Sequence, residues 1–242
     1  MGSPALERLE TLLAARRLDT TLARAWAQAP AGVSTGIPAL DEALGDGWRP
    51  GEVSEIVGPR SSGRTALLWA TLTAATRRDQ VVALVDTFDR FDPASAAAAG
   101  LVLERLLWVR GPALTLERAQ AALVDLAVQR AIRALDLVVR AGGFAVAALD
   151  LCDVPARQLR ALPPATWLRL AHANEGRPTV CLLAGDLPAG RSARGATVHL
   201  SSQREWTGTS LQSHRLGGAR VRARIARMTL SGRAAEWTVN SA

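Results

Sequence analysis

The feature that most constrains this chain is the run Gly58-Pro59-Arg60-Ser61-Ser62-Gly63-Arg64-Thr65, set between the apolar, strand-like Glu55-Ile56-Val57 and the helix-like stretch Ala66 to Thr76. Strand, glycine loop and helix in that order make a phosphate-binding loop. Glycines let consecutive backbone N–H groups close around an anion, with the positive end of the helix beneath them. The same sequence also suits a tight strand-to-helix corner kept for packing, and both readings stay open at this point. Arg64 stands where such loops carry lysine. Lysine is a compact charge that fits between phosphates, whereas the planar guanidinium is larger and favours a bidentate approach. Thr65 offers a hydroxyl for Mg²⁺, and Asp150, at the end of the apolar run Phe144 to Leu149, has the placement of a Walker B acid. The chain contains no lysine, so arginine fills every basic position whatever its role.

Around this loop the hydrophobic pattern predicts an α/β fold with a mostly parallel central sheet flanked by helices. Short apolar runs at Val53 to Val57, Val81 to Val85, Leu106 to Val109, Phe144 to Leu149 and Thr179 to Leu183 alternate with helical stretches. Leu116 to Arg140 is amphipathic without internal Pro or Gly, which predicts one long helix or two abutting ones. From Thr197 onward the pattern becomes alternation, as in Arg220-Val221-Arg222-Ala223-Arg224-Ile225, and predicts antiparallel strands. Before the main domain, leucines at 6, 9, 13, 18 and 22 have helical spacing, so residues 1–30 read as an N-terminal helical segment and 31–242 as the core domain. That segment either packs on its own domain or docks on a neighbouring subunit.

The apolar fraction of 48% suffices for a sizeable core, and no apolar run approaches the length of a membrane helix. With acidic residues in the opening MGSPALERLE and only Cys152 and Cys181, expected as unreactive thiols at the edges of apolar runs, the expectation is a cytoplasmic protein without membrane association. The net charge of +7 is unevenly placed. Beyond residue 190, nine arginines face only Glu205 and Glu236, and the first 190 residues carry equal numbers of acidic and basic side chains. Arg220, Arg222 and Arg224 share one strand face at period 2, with Arg227 nearby, and make a candidate site for nucleic-acid backbone. The same arginines also suit an acidic partner protein or a solvated face.

The run Val33-Ser34-Thr35-Gly36-Ile37-Pro38-Ala39-Leu40-Asp41-Glu42-Ala43-Leu44-Gly45, followed by Gly47-Trp48-Arg49-Pro50-Gly51-Glu52-Val53, resembles the segment that leads into the phosphate loop of the RecA family. Val85 to Pro93 resembles the RecA segment that holds its catalytic glutamate, with Phe88 in the glutamate's place, and Asp92-Pro93 matches a position near the adenine. Matches in order run from about residue 33 to about residue 230. The resemblance therefore implies a RecA-like core with a degenerate nucleotide site, made of Gly58 to Thr65, Asp92 and Asp150. ATP and Mg²⁺ would bind there weakly, without turnover, unless Asp86 or Asp89 replaces the lost carboxylate. The spans between Asp150 and Thr179 and between Asp186 and Ala196 are short for the two DNA-binding loops of RecA, and its separate C-terminal domain is missing.

Among trimmed relatives the chain looks most like the ImuA family of mutagenesis accessory proteins. That resemblance implies a role in translesion synthesis in the DNA-damage response. The partners it implies are RecA, an ImuB-type Y-family-like polymerase protein and, indirectly, an error-prone C-family DNA polymerase, with single-stranded DNA on the arginine face. The alternatives are a DNA-dependent ATPase or recombinase and a cell-division inhibitor resembling SulA. The long match around the phosphate loop argues against the last.

Overall fold

The chain divides into two units, Met1–Ala31 and Gly32–Ala242. The computed structural model describes residues 31–117, 119–190, 195–207, 215–226 and 233–240. The helical segment expected over 1–30 and the site residue Arg227 lie outside the described residues.

Five apolar runs form parallel strands β1 (Val53–Val57), β2 (Val82–Asp86), β3 (Leu106–Arg110), β4 (Val146–Leu151) and β5 (Val180–Gly185). They continue into β6 (Thr197–Thr207), β7 (Arg215–Ala226) and β8 (Ala234–Asn240). One eight-stranded sheet results, ordered β3-β2-β4-β5-β1-β6-β7-β8. In β1, β2 and β5 every residue is buried, as strands covered by helices on both faces are, and in β1 that includes the polar Ser54 and Glu55. Strand β6 departs from the antiparallel expectation at its start. Thr197, Val198 and His199 pair parallel to Glu55, Ile56 and Val57 of β1, while the other edge of β6 pairs antiparallel with β7. The sheet changes from parallel to antiparallel on this one strand.

The helices are α1 (Pro38–Leu44), α2 (Arg64–Thr76), α3 (Pro93–Ala98), α4 (Ala121–Ala141), α5 (Ala156–Ala161) and α6 (Pro164–Asn174). On one face of the sheet α1 and α2 pack Leu40, Leu67 and Leu72 against Ile56, Leu84, Leu182 and Val198. On the other, α4 and α6 pack Val128, Leu135 and Trp167 against Val85, Leu149 and Leu183. The long amphipathic stretch is a single helix beginning at Ala121 rather than near Leu116. Leu114 and Leu116 precede it as non-helical chain and rest on the second core. No helix among the described residues is long and apolar enough to cross a membrane.

The Gly-Trp of the lead-in segment positions the phosphate loop. Trp48 is 1% exposed. Its Nε1 donates to Thr71 Oγ1 on α2 at 3.2 Å, and that hydroxyl donates to the Thr35 carbonyl at 3.2 Å. Val33 and Trp48 exchange both backbone hydrogen bonds at 2.8 Å. The lead-in is thereby fastened to the helix that the loop opens.

Candidate functional site

The loop Gly58 to Thr65 leaves the carboxyl end of β1 beside the ends of β4 and β5, the position where open α/β sheets place ligands. Its glycines are required by contact as well as conformation. A Cβ on Gly58 would lie 2.6 Å from the Leu200 carbonyl and 2.5 Å from Ser62 Oγ. Gly63 has φ 97°, and a Cβ there would lie 3.3 Å from Val221. Gly63 caps α2 without any side-chain hydrogen bond. The amides of the first turn are therefore left for another acceptor. Ser62 Oγ is buried and has no partner among the described residues. Thr65 presents its side chain at the surface. β6 and β7 form the floor of the loop, where Ser202 Oγ donates to the Ser61 carbonyl at 2.6 Å.

The arginines of the loop turn to carboxylates. Arg64 is 6% exposed and is ion-paired with Asp186, which follows β5. Asp186 also accepts from the Asp153 amide at 3.3 Å. Arg60 meets Asp153 at 2.9 Å, and this hydrogen bond holds the Asp153 carboxyl below the usual range. Asp150 lies within β4 rather than beyond its end, and accepts from the Cys152 amide at 2.8 Å. Burial, above all, raises the Asp150 carboxyl; nearby Asp86 adds to the rise and Arg64 opposes it. Asp92 is exposed and caps α3, accepting from Ala94 N at 3.1 Å and from Ser95 Oγ. Its Ser95 bond is the main cause of a lowered carboxyl pKa. Cys181 is fully buried and its thiol is pushed up to about 12, while half-buried Cys152 is raised further by burial and by Asp150.

Phe88 is 2% exposed and belongs to the core on the α4 side of the sheet. Neither nearby carboxylate stands free in its place. Asp86 is buried and accepts from Arg90 N at 2.9 Å, Phe91 N at 2.8 Å and Trp108 Nε1 at 3.3 Å. Asp89 holds Arg110 through two bonds of 2.8 Å, which lower its pKa. The loop thus keeps both of its glycine corners and a buried Ser62 Oγ that has no partner among the described residues. Arg64 is engaged by Asp186, and position 88 carries an apolar ring in the core.

Arg220, Arg222 and Arg224 are exposed on β7 while Val221, Ala223 and Ile225 between them are buried. The two acidic residues of this region flank the stripe. Arg220 pairs with Glu205 of β6 at 3.0 Å and Glu236 of β8 at 3.4 Å, and Arg222 pairs with Glu236 at 3.3 Å. Arg224 lies opposite His199. Partial burial first, and then Arg224, lower the His199 pKa, so the imidazole is held towards its neutral form. Trp237 is half-buried against the core, and Trp206 is 57% exposed.

Three residues of this arrangement escape notice in the sequence. Asp186 and Asp153 are the partners of two loop arginines; the demand of the buried Arg64 for a carboxylate hints at Asp186, and nothing in the sequence points to Asp153, whose partner Arg60 is exposed. Glu55 is 3% exposed in the middle of β1. It accepts from the Ala189 and Gly190 amides at 2.7 Å each and from Thr197 Oγ1 at 3.1 Å, so it ties down the segment after β5. Its pKa is raised because burial outweighs these bonds.

The sequence model of the RecA N-terminal domain matches residues 19–150, more than half of the chain. The proteins named Protein RecA from Synechococcus sp. (strain WH7803) and Prochlorococcus marinus (strain MIT 9211) are each 44% identical over 75 residues, 31% of this chain and 20% of theirs. The chain thus spans about a fifth of the length of the curated relatives it matches. With the sheet order, the glycine loop and its lead-in, these matches identify the chain as a member of the RecA N-terminal domain family.

Proposed function

We propose that this RecA-family chain is an accessory protein of error-prone translesion DNA synthesis that acts by binding and does not turn over ATP. The observation that carries the absence of turnover is the pairing of Arg64 with Asp186. A guanidinium held inside the fold by its own carboxylate is not available to move with the charge that develops on a transferred phosphoryl group. Burial of Phe88 where the family places its water-activating glutamate supports the same reading. The intact cradle at Gly58, Ser62 and Gly63 supports weak binding of ATP and Mg²⁺, with Thr65 and Asp150 as the metal-facing oxygens. The partners are RecA, an ImuB-type Y-family-like protein and, through it, a C-family polymerase. Single-stranded DNA is the ligand of the Arg220, Arg222 and Arg224 face.

Two measurements test this. Purified full chain is expected to release no phosphate from ATP above background, with or without single-stranded DNA; sustained DNA-stimulated hydrolysis would replace the proposal by the recombinase reading. Tagged chain captured from DNA-damaged cells is expected to carry RecA or the Y-family-like protein. Recovery in their place of a tubulin-like ring protein, the partner that a resemblance to SulA implies, would move the assignment to a cell-division inhibitor.

A further inference from the structure

Helix α4 buries Val124, Ala127, Val128, Ala131, Leu135, Val138 and Val139 against the sheet. Its opposite side is not the polar face that a surface helix usually turns to water. Leu123, Leu126 and Leu137 are 48%, 41% and 61% exposed there, in line with Arg130, Arg133 and Arg140. These six positions are separated by steps of three, four, three, four and three residues, the spacing of a coiled-coil seam. The stripe is about 26 Å long. A groove of about 470 Å³ runs beside it between α4 and α6, floored by Ile132 and Leu170 and rimmed by Arg133, Arg140 and Arg169, with Asp136 the one acid among its lining. Arg140 is paired with Asp136, whereas Arg130, Arg133 and Arg169 have no ion-pair partner among the described residues.

We propose that the solvent face of α4 is a docking seam for an acidic amphipathic helix of a partner protein. The leucines supply the apolar anchors, and the arginines call for glutamate or aspartate at the facing positions. Charge argues against a second copy as the occupant. Two copies paired antiparallel about a twofold axis would set Leu126 against Leu137 but bring Arg130 of each against Arg133 of the other, and Asp136, the acid beside the seam, is already held by Arg140. The seam lies on α4, away from the phosphate loop and the β7 arginines, so its test is separate from nucleotide or DNA binding.

The probe is a fluorescein-labelled synthetic helix of about three heptads, with leucine at its outer seam positions and glutamate at the two central ones; a matched peptide carries lysine in place of the glutamates. Titrated with the full chain, the acidic peptide is expected to give a saturable rise in anisotropy and the lysine peptide none. Leu126→Asp/Leu137→Asp should weaken the acidic peptide about tenfold or more. Arg130→Glu/Arg133→Glu should invert the preference so that the lysine peptide binds, a gain that a misfolded variant could not produce. Equal binding of both peptides, or acidic binding that survives both variants, overturns the proposal. So does self-association in sedimentation that Leu126→Asp/Leu137→Asp abolishes, because it assigns the seam to a second copy.

Discussion

Replacing Asp186 by alanine tests how Arg64 is held, and the structure fixes both the size and the asymmetry of the result. Arg64 is 6% exposed and Asp186 36%. Removing one partner of a fully buried pair costs about 3–5 kcal/mol, because the other charge stays buried without compensation. Water reaches part of the Asp186 side, which reduces the expected loss to about 2–3 kcal/mol. The Asp153 amide loses an acceptor in the same change. For a chain of this length each kcal/mol moves the melting temperature by about 2–4 °C, so Asp186→Ala should melt about 4–12 °C lower. The reverse change behaves differently. Arg64→Met keeps most of the packed stem and leaves a carboxylate that solvent already touches, at a cost of about 1 kcal/mol. In Arg64→Met/Asp186→Ala the orphaned cation is gone, and the double variant should fall near Arg64→Met alone. Urea titrations of the four proteins measure all three differences. A larger loss for Arg64→Met than for Asp186→Ala, or a double variant equal to the sum of the singles, would refute the reasoning.

Other expectations are as direct. Phe88→Glu should yield insoluble or unfolded chain rather than restored hydrolysis, because a carboxylate would replace a ring in a dry core; Phe88→Ala should cost about 3–5 kcal/mol in denaturant titration. Glu55 has a raised pKa in the fold, so the stability it contributes is full below its ordinary value near 4.5 and is lost as the pH climbs through the raised one. The melting-temperature advantage of the native chain over Glu55→Gln should therefore shrink as pH rises from 4.5, and an advantage that grows instead would contradict the burial effect. Glu236→Gln frees Arg222 and leaves Arg220 with Glu205 alone, and should tighten single-stranded DNA while steepening the salt dependence of binding by about one ion; Arg220→Ala/Arg222→Ala/Arg224→Ala should abolish the low-salt affinity.

Most of the sheet was legible in the sequence because the parallel strands β2, β4 and β5 are buried on both faces and read as apolar runs, while β1 and the edge strand β3 are short and mainly apolar, and each was found within a few residues of its place. The start of β6 was not. A strand's own pattern reports which of its faces is buried and nothing about the direction of its neighbours, so Thr197 to His199 gave no sign of pairing parallel to β1. The helix begun at Leu116 in the sequence begins at Ala121 because Leu114 and Leu116 anchor non-helical chain to the core, and apolar spacing alone does not separate an anchor from a helix turn. At the site, the loop and its substitutions at Arg64 and Phe88 were visible as motif positions. Their consequences were not, since Asp186 is 122 residues from Arg64 in the chain.

Strand β7 is read from both sides. Arg220 and Arg222 face outward, and Val221 between them faces the other way and abuts Gly63, where the phosphate loop becomes a helix. An anion on the outer face would therefore bind the two residues that flank the one packed against the loop proposed to hold a second anion. A ligand that slides or twists this strand on one side moves the wall of the cradle on the other, and the free energy of that strain is shared: whatever the first ligand does to the affinity of the second, the second must do equally to the first.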